Sequence, residues 1–183
     1  MRLFFDLDQT LVWSFRLTRS ERERPTNVTP DARIKFGQDS FDLYFRPDLY
    51  LIDRPFSVIS SGSAPYVQAI ADVLFKKGMM VEEAFDISFL AESDEEKPPI
   101  TKKEAVLIDD LGPNQMGTAM KLRVLPQAKL CRVDAWTETT LPKISERRPN
   151  ESLHEWMARP RKVALEFSRQ EGSKSLKECL DRR

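Results

Sequence analysis

Three short apolar runs in this chain stop abruptly on polar residues, and that pattern limits its fold more than any other feature. Leu3-Phe4-Phe5 ends at Asp6, Phe56-Ser57-Val58-Ile59 ends at Ser60-Ser61-Gly62-Ser63, and Ala105-Val106-Leu107-Ile108 ends at Asp109-Asp110. Uninterrupted runs of this length read as strands buried on both faces, the situation of a parallel sheet. Phe85-Asp86-Ile87-Ser88-Phe89-Leu90 and Lys129-Leu130-Cys131-Arg132-Val133 read as two further strands. A helix is predicted after the second run. Ser63 stands at its cap, Pro65 in its first turn, Val67, Ile70, Ala71 and Leu74 on one face, and Gly78 at its end. Strands interleaved with helices, closing on polar residues, predict a three-layer open parallel α/β sheet of Rossmann-like type with its site at the carboxyl edge.

Residues 13–52 interrupt that alternation. Residues 15–31 read as a polar, exposed excursion. Ile34-Lys35-Phe36, Gly37-Gln38-Asp39 and Phe41 to Phe45 alternate around a turn, which predicts a β-hairpin. A short helix is expected over Pro47 to Ile52. After residue 142 the composition shifts, with eleven Lys/Arg against seven Asp/Glu from Lys143 to Arg183. The chain therefore divides into a main domain, 1–142, and a charged, partly helical extension, 143–183. Two amphipathic helices are expected in the extension, one with Leu153, Trp156 and Met157, the other with Val163, Ala164 and Phe167.

The bulk properties exclude several classes of function. Of 183 residues, 40 % are hydrophobic and 32 % charged, which is not the composition of a disordered chain. The formal net charge of zero offers no overall field for nucleic acid or an anionic membrane. No apolar run approaches the ~20 residues of a membrane helix. The N-terminus meets acidic residues at once, unlike a secretory signal. Cys131 and Cys179 are far apart without metal-site spacing and read as two reduced thiols of a cytoplasmic protein. The single histidine, His154, lies in a charged stretch.

Asp6 and Asp8 carry the clearest chemistry. Two residues apart in extended chain, they project from the strand end in a shared direction. Both ionised, they repel unless a cation or proton intervenes. A hard divalent cation with oxygen ligands, Mg²⁺ above all, relieves that conflict. Asp109-Asp110 ends another strand in the same way, so four carboxylates can converge on one sheet edge. Ser60 ends a third strand just before a helix N-terminus, where a hydroxyl and free N–H groups bind phosphate oxygens. Lys97 is the first candidate for a positive charge on a transferring phosphoryl group, with Lys102 and Lys103 competing.

In that order, Asp6-Leu7-Asp8-Gln9-Thr10, Ser60, a lysine and Asp109-Asp110 resemble the four motifs of the haloacid dehalogenase superfamily. Asp6-Leu7-Asp8-Gln9-Thr10-Leu11-Val12 and Phe45-Arg46-Pro47-Asp48-Leu49 resemble segments of its C-terminal-domain phosphatase branch. Ser60 falls where that branch has Thr, six residues before Tyr66, and the likeness covers roughly residues 1–137. The resemblance implies a phosphatase with Asp6 as nucleophile and Asp8 as acid and then base. It implies Mg²⁺ held by Asp6, Asp8 (through its backbone carbonyl) and the Asp109-Asp110 pair. Phosphate would be gripped by Thr10, Ser60, Ser61 and Lys97, with Lys103 in reserve. Gln9 replaces the common Glu, and Trp13 stands where His is frequent.

Neither interval around Ser60 has room for a large cap domain, only for a small hairpin flap. An open site favours a phosphate protruding from a macromolecule, a phosphoserine/phosphothreonine protein first. A nucleic-acid end or a nucleotide is the alternative substrate, with the basic extension as a contact for nucleic acid. An alternative of another class is a non-catalytic scaffold that binds phosphopeptides.

Overall fold

The computed structural model describes residues 1–17, 26–88, 98–140, 148–158 and 163–181. Its centre is a five-stranded, all-parallel sheet of β1 (Arg2–Phe5), β5 (Phe56–Ser60), β6 (Val81–Asp86), β7 (Ala105–Asp109) and β8 (Ala128–Arg132), in the order β6-β5-β1-β7-β8. The period of two along each strand divides the core. Leu3 and Phe5 join Val106 and Ile108 on one face, against Val67, Ile70 and Leu74 of α1 (Ala64–Lys76). Phe4 and Leu107 point to the other, where Met120 and Val124 of α2 (Met116–Val124) cover them. The molecule is therefore an α/β protein of Rossmann-like layering.

α1 ends as its sequence predicts. Gly78 takes φ +87°, its N–H bonds the Phe75 carbonyl at 2.9 Å, and the Met79 N–H bonds the Leu74 carbonyl at 3.1 Å, a Schellman motif. At the other end Ser63 sits at the cap position, but its side chain makes no capping bond. β6 begins at Val81, four residues before the expected strand, and ends at Asp86; Phe89 and Leu90 lie outside the described residues.

Between β1 and β5 the chain builds a three-stranded antiparallel sheet of β2 (Val12–Leu17), β3 (Ala32–Phe36) and β4 (Asp39–Phe45), ordered β2-β4-β3. The hairpin β3–β4 forms as expected, with Gly37 at φ +59° in its two-residue turn. The expected polar excursion begins later than residue 15, because Phe15 to Leu17 still pair with β4. The expected helix over 47–52 is a single 3₁₀ turn, Leu49–Leu51.

Past residue 134 the chain returns to the body. β9 (Ala135–Thr140) and β10 (Val163–Ser168) form an antiparallel pair. β10 corrects the second helix expected in the extension: Val163, Ala164 and Phe167 belong to a strand because β9 supplies a complete ladder partner. The other expected helix forms as α3 (Leu153–Ala158). α4 (Leu176–Leu180), with a Ser175–Glu178 capping box, inserts Leu176, Cys179 and Leu180 into the main core. Residues 163–181 are thus packed into the same body as the parallel sheet. Cys131 and Cys179 are joined in a disulfide across a separation of 48 residues. The expectation of two reduced thiols is corrected by packing: α4 sets Cys179 against the end of β8, a proximity that no spacing announces. Among the described residues, no helix is long and apolar enough to cross a membrane.

Candidate carboxylate site at the sheet edge

The strand order reverses between β1 and β7. From β1 the chain builds outward through β5 and β6, then returns to the other side of β1 with β7 and β8. At such a switch point the loops leaving two adjacent strands diverge and open a crevice at the carboxyl edge. Asp6 follows β1, Asp109 ends β7 and Asp110 follows it, so this crevice is where the acidic residues meet. One oxygen from each of Asp6, Asp109 and Asp110 falls within a mutual distance of 4.8 Å. All three are buried.

A tight turn carries Asp6 into the site. The N–H groups of Thr10, Leu11 and Val12 all bond the Leu7 carbonyl at 2.9–3.2 Å, and Gln9 N–H bonds the Val12 carbonyl at 2.7 Å. Gln9 takes φ +63°, a left-handed conformation costing a non-glycine residue ~1–2 kcal/mol. Its carbonyl is held from outside by the Trp136 N–H at 2.6 Å. Arg46, fully buried at the end of β4, donates to the Thr10 carbonyl (2.7 Å), the Asp134 carbonyl (3.3 Å) and Asp48 Oδ1 (2.8 Å). Its guanidinium lies 4.8 Å from the centre of the Phe167 ring. The turn is therefore locked by the inserted sheet on one side and the β9–β10 pair on the other.

Lys121 is the central cation. Its Nζ donates to Asp6 Oδ1 at 2.5 Å and to Asp109 Oδ2 at 2.7 Å, and it is buried. Burial works to lower its pKa, but the two carboxylates override that and raise it. Asp6 is pushed up to about 8, chiefly by burial, against the pull of Lys121 and with a further push from Asp109. Burial and then Asp109 raise Asp110 to about 6. The Thr10 hydroxyl accepts from the Asp110 N–H at 3.0 Å and stands 3.1 Å from both Asp6 Oδ2 and Asp110 Oδ1. Its single proton serves one of the two carboxylates at a time. Asp109 Oδ1 accepts from the Leu111 N–H at 2.9 Å.

Asp8 is exposed and is not one of the three clustered carboxylates. Tyr66 Oη donates to Asp8 Oδ1 at 2.5 Å and, with its proton so used, accepts from Ser14 Oγ at 2.6 Å. The protein walls raise the Asp8 pKa, opposed by the Tyr66 hydrogen bond. Burial first, then the Asp8 charge, pushes the Tyr66 phenol upward.

The remaining candidates divide clearly. The Thr10 hydroxyl is used within the carboxylate cluster. Ser60 is buried and accepts from the Gly62 N–H at 3.1 Å, stabilising its own turn. Ser61 is exposed at the rim, and its Oγ lies 4.0 Å from where a Cβ on Gly117, at the start of α2, would sit. Lys97 lies outside the described residues. Lys102 and Lys103 are exposed at the amino end of β7, and a strand of that length separates them from the site by roughly 15–20 Å. Neither can grip a group at Asp6. Trp13 is packed with Tyr44 and Trp136 in a small buried cluster.

Sequence reasoning sought its lysine ahead of Asp109 and missed the one that follows it. The available signal was a lysine at a spacing of three from Thr118 and Val124, all three of which the helix buries. The Thr118 hydroxyl, one turn before Lys121, is buried and has no hydrogen-bond partner among the described residues.

Fold and site together define an α/β protein with an acidic centre at its topological switch point. No protein-family model and no curated protein matches the chain.

Proposed function

We propose that the chain is a Mg²⁺-dependent phosphatase of the haloacid dehalogenase type, transferring a phosphoryl group to Asp6 and then to water. The observation that carries this reading is the buried cluster of Asp6, Asp109 and Asp110 with Lys121 between two of them. Three carboxylates against one ammonium leave excess negative charge in a buried place, which a hard divalent cation fits. Asp6, Asp109 and Asp110 would hold Mg²⁺, with the Asp8 backbone carbonyl as the further ligand that the family resemblance implies. When bound, the ion supplies charge neutralisation at the phosphoryl oxygens.

The other steps belong to the chain's own groups. An Asp6 oxygen attacks phosphorus, the ester P–O bond breaks, and the leaving oxygen takes a proton from Asp8. Asp8 then accepts a proton from the water that attacks the aspartyl-phosphate, releasing inorganic phosphate and restoring Asp6. The raised pKa of Asp8 suits a group that must hold a proton before giving it. Lys121 orients Asp6 and offsets charge on the phosphoryl group. In this reading Ser61, exposed beside the start of α2, would meet a phosphoryl oxygen.

In this reading the β2-β4-β3 sheet is the flap, and α1 and β6 are the only elements described from Ser61 to Ser88. Such an uncovered entrance favours an exposed phosphate on a phosphoprotein. The cytoplasmic setting expected from sequence requires the Cys131–Cys179 bond to persist there; burial of both residues slows thiol exchange.

The test is hydrolysis of p-nitrophenyl phosphate with Mg²⁺ or with EDTA, beside Asp6→Asn. Metal-dependent turnover lost in the variant is expected; its absence in the unmodified chain rejects the reading. A panel of phosphopeptides, phosphorylated oligonucleotide ends and sugar phosphates then selects the substrate. Preference for free sugar phosphates would overturn the open-site argument.

A further inference from the structure

The outer edge of the parallel sheet carries a groove whose lining includes none of Asp6, Asp109 and Asp110. β6 is terminal in the sheet and, among the described residues, pairs only with β5. Between β6 and α1 lie two adjoining hollows of about 380 Å³ each, with Gln68 and Ala84 in the walls of both. One is lined by Ala71, Val81 and Phe75, a large apolar side chain that is 67 % exposed. The other continues past Pro65 to Asp86, the residue in register with Ser60. Together they form a groove along the sheet edge, apolar in part and open to solvent.

The charge of this groove has one sign. Asp72, Glu82, Glu83 and Asp86 line it, and no lysine or arginine does. Glu83 is paired with Arg2 of β1. Asp72 accepts from Gln68 within its own helix, and Asp86 accepts from the Ser88 N–H. Among the described residues, no cation forms an ion pair with Asp72, Glu82 or Asp86.

We propose that this groove is a docking surface for an extended, basic segment of a partner protein. Its cationic side chains would face Asp72, Glu82 and Asp86, and an apolar one would cover Phe75. Two other occupants are disfavoured by charge. A second copy placed edge to edge would set Glu82 and Glu83 against acidic residues of the same kind. The chain's own 89–97, with Glu92, Asp94, Glu95 and Glu96 against Lys97 alone, has the same sign as the groove. The register shift within β6, opposite Phe56 to Val58, breaks regular ladder pairing near Glu82 and Glu83. Side-chain charge therefore dominates at that end, while backbone pairing is left to residues 84–86.

The probe is a fluorescein-labelled octapeptide of alternating arginine and valine, followed by fluorescence anisotropy on the full chain. Saturable one-to-one binding that weakens with added salt is expected. The exposed double variant Asp72→Lys, Glu82→Lys should lose at least about tenfold in affinity, and Phe75→Ala should weaken binding by a smaller factor. Asp6→Asn should bind like the unmodified chain, which separates the groove from the acidic centre. Circular dichroism establishes that each variant is folded. The proposal is overturned by any of three results: no saturable binding, equal binding to the double variant or to a glutamate–valine peptide, or loss of binding in Asp6→Asn.

Discussion

Replacing Lys121 by Met keeps most of the side chain's volume and removes its charge, which isolates the electrostatic role of the buried ammonium. In the unmodified protein Lys121 meets Asp6 and Asp109, and Asp110 lies within the same cluster. Without it, three buried carboxylates face one another. Breaking a buried ion pair by removing one partner costs ~3–5 kcal/mol, because the remaining charge is uncompensated. That cost depends on the carboxylates being ionised. Burial chiefly pushes Asp110 up to about 6 and Asp6 up to about 8. Groups with raised folded pKa values bind more protons folded than unfolded, so their stabilisation is present in acid and lost as pH rises through those values. Lys121 pulls Asp6 downward, so its removal extends that range and deepens the total fall. The lysine itself, raised above its ordinary value, stays charged throughout.

Urea unfolding in EDTA, followed by tryptophan fluorescence from Trp13 and Trp136, measures the difference. At pH 8 Lys121→Met should lose ~3–5 kcal/mol. At pH 5, where Asp6 and Asp110 hold protons, the loss should be smaller, because the bond to Asp6 then meets a neutral carboxyl and the contact with Asp109 is what remains to be lost. Mg²⁺ at a hundred times its dissociation constant should return ~2.7 kcal/mol at pH 8 and much less at pH 5, because the ion binds ionised carboxylates. Equal losses at the two pH values would show that the charges of Asp6 and Asp110 are not what Lys121 compensates. Mg²⁺ without effect on either protein would remove the metal from the reasoning.

Two further perturbations test the frame around the site. Arg46→Met leaves the buried carbonyls of Thr10 and Asp134 without their donor; each such loss costs ~1–3 kcal/mol, so urea unfolding should show a drop of ~2–6 kcal/mol, and one below ~1 kcal/mol would mean that the turn holds itself. Reduction of Cys131–Cys179, which spans 48 residues, should lower stability by ~4 kcal/mol on loop entropy; thermal unfolding with and without a phosphine reductant measures it, and an unchanged midpoint would show that α4 is held by Leu176 and Leu180 alone.

Much of the parallel sheet is legible in the sequence because its cues are local. Leu3 to Phe5 and Ala105 to Ile108 are apolar on both faces and end on carboxylates, and the helix from Ala64 to Lys76 carries its face and its stop within fifteen residues. Asp6, Asp109 and Asp110 are found for the same reason, since strand ends of a parallel sheet share an edge. What failed depended on partners distant in sequence. Val163 to Ser168 is a strand because β9 lies beside it, and residues 163–168 alone fit either period.

The sequence by itself therefore determined strands β1, β5, β7 and β8 and the acids that close β1 and β7, all set by side-chain type and short-range spacing. Tertiary structure alone decided which cation serves them. Lys121 reaches Asp6 because α2 turns back across the end of β7, whereas Lys102 and Lys103 are carried to the opposite edge by the same strand. It also decided the fate of the cysteines, since only the packing of α4 on the core brings Cys179 to Cys131. Both outcomes follow from one physical fact: burial makes an unpaired charge or an unfilled space costly, and what meets that cost is whatever the fold brings near.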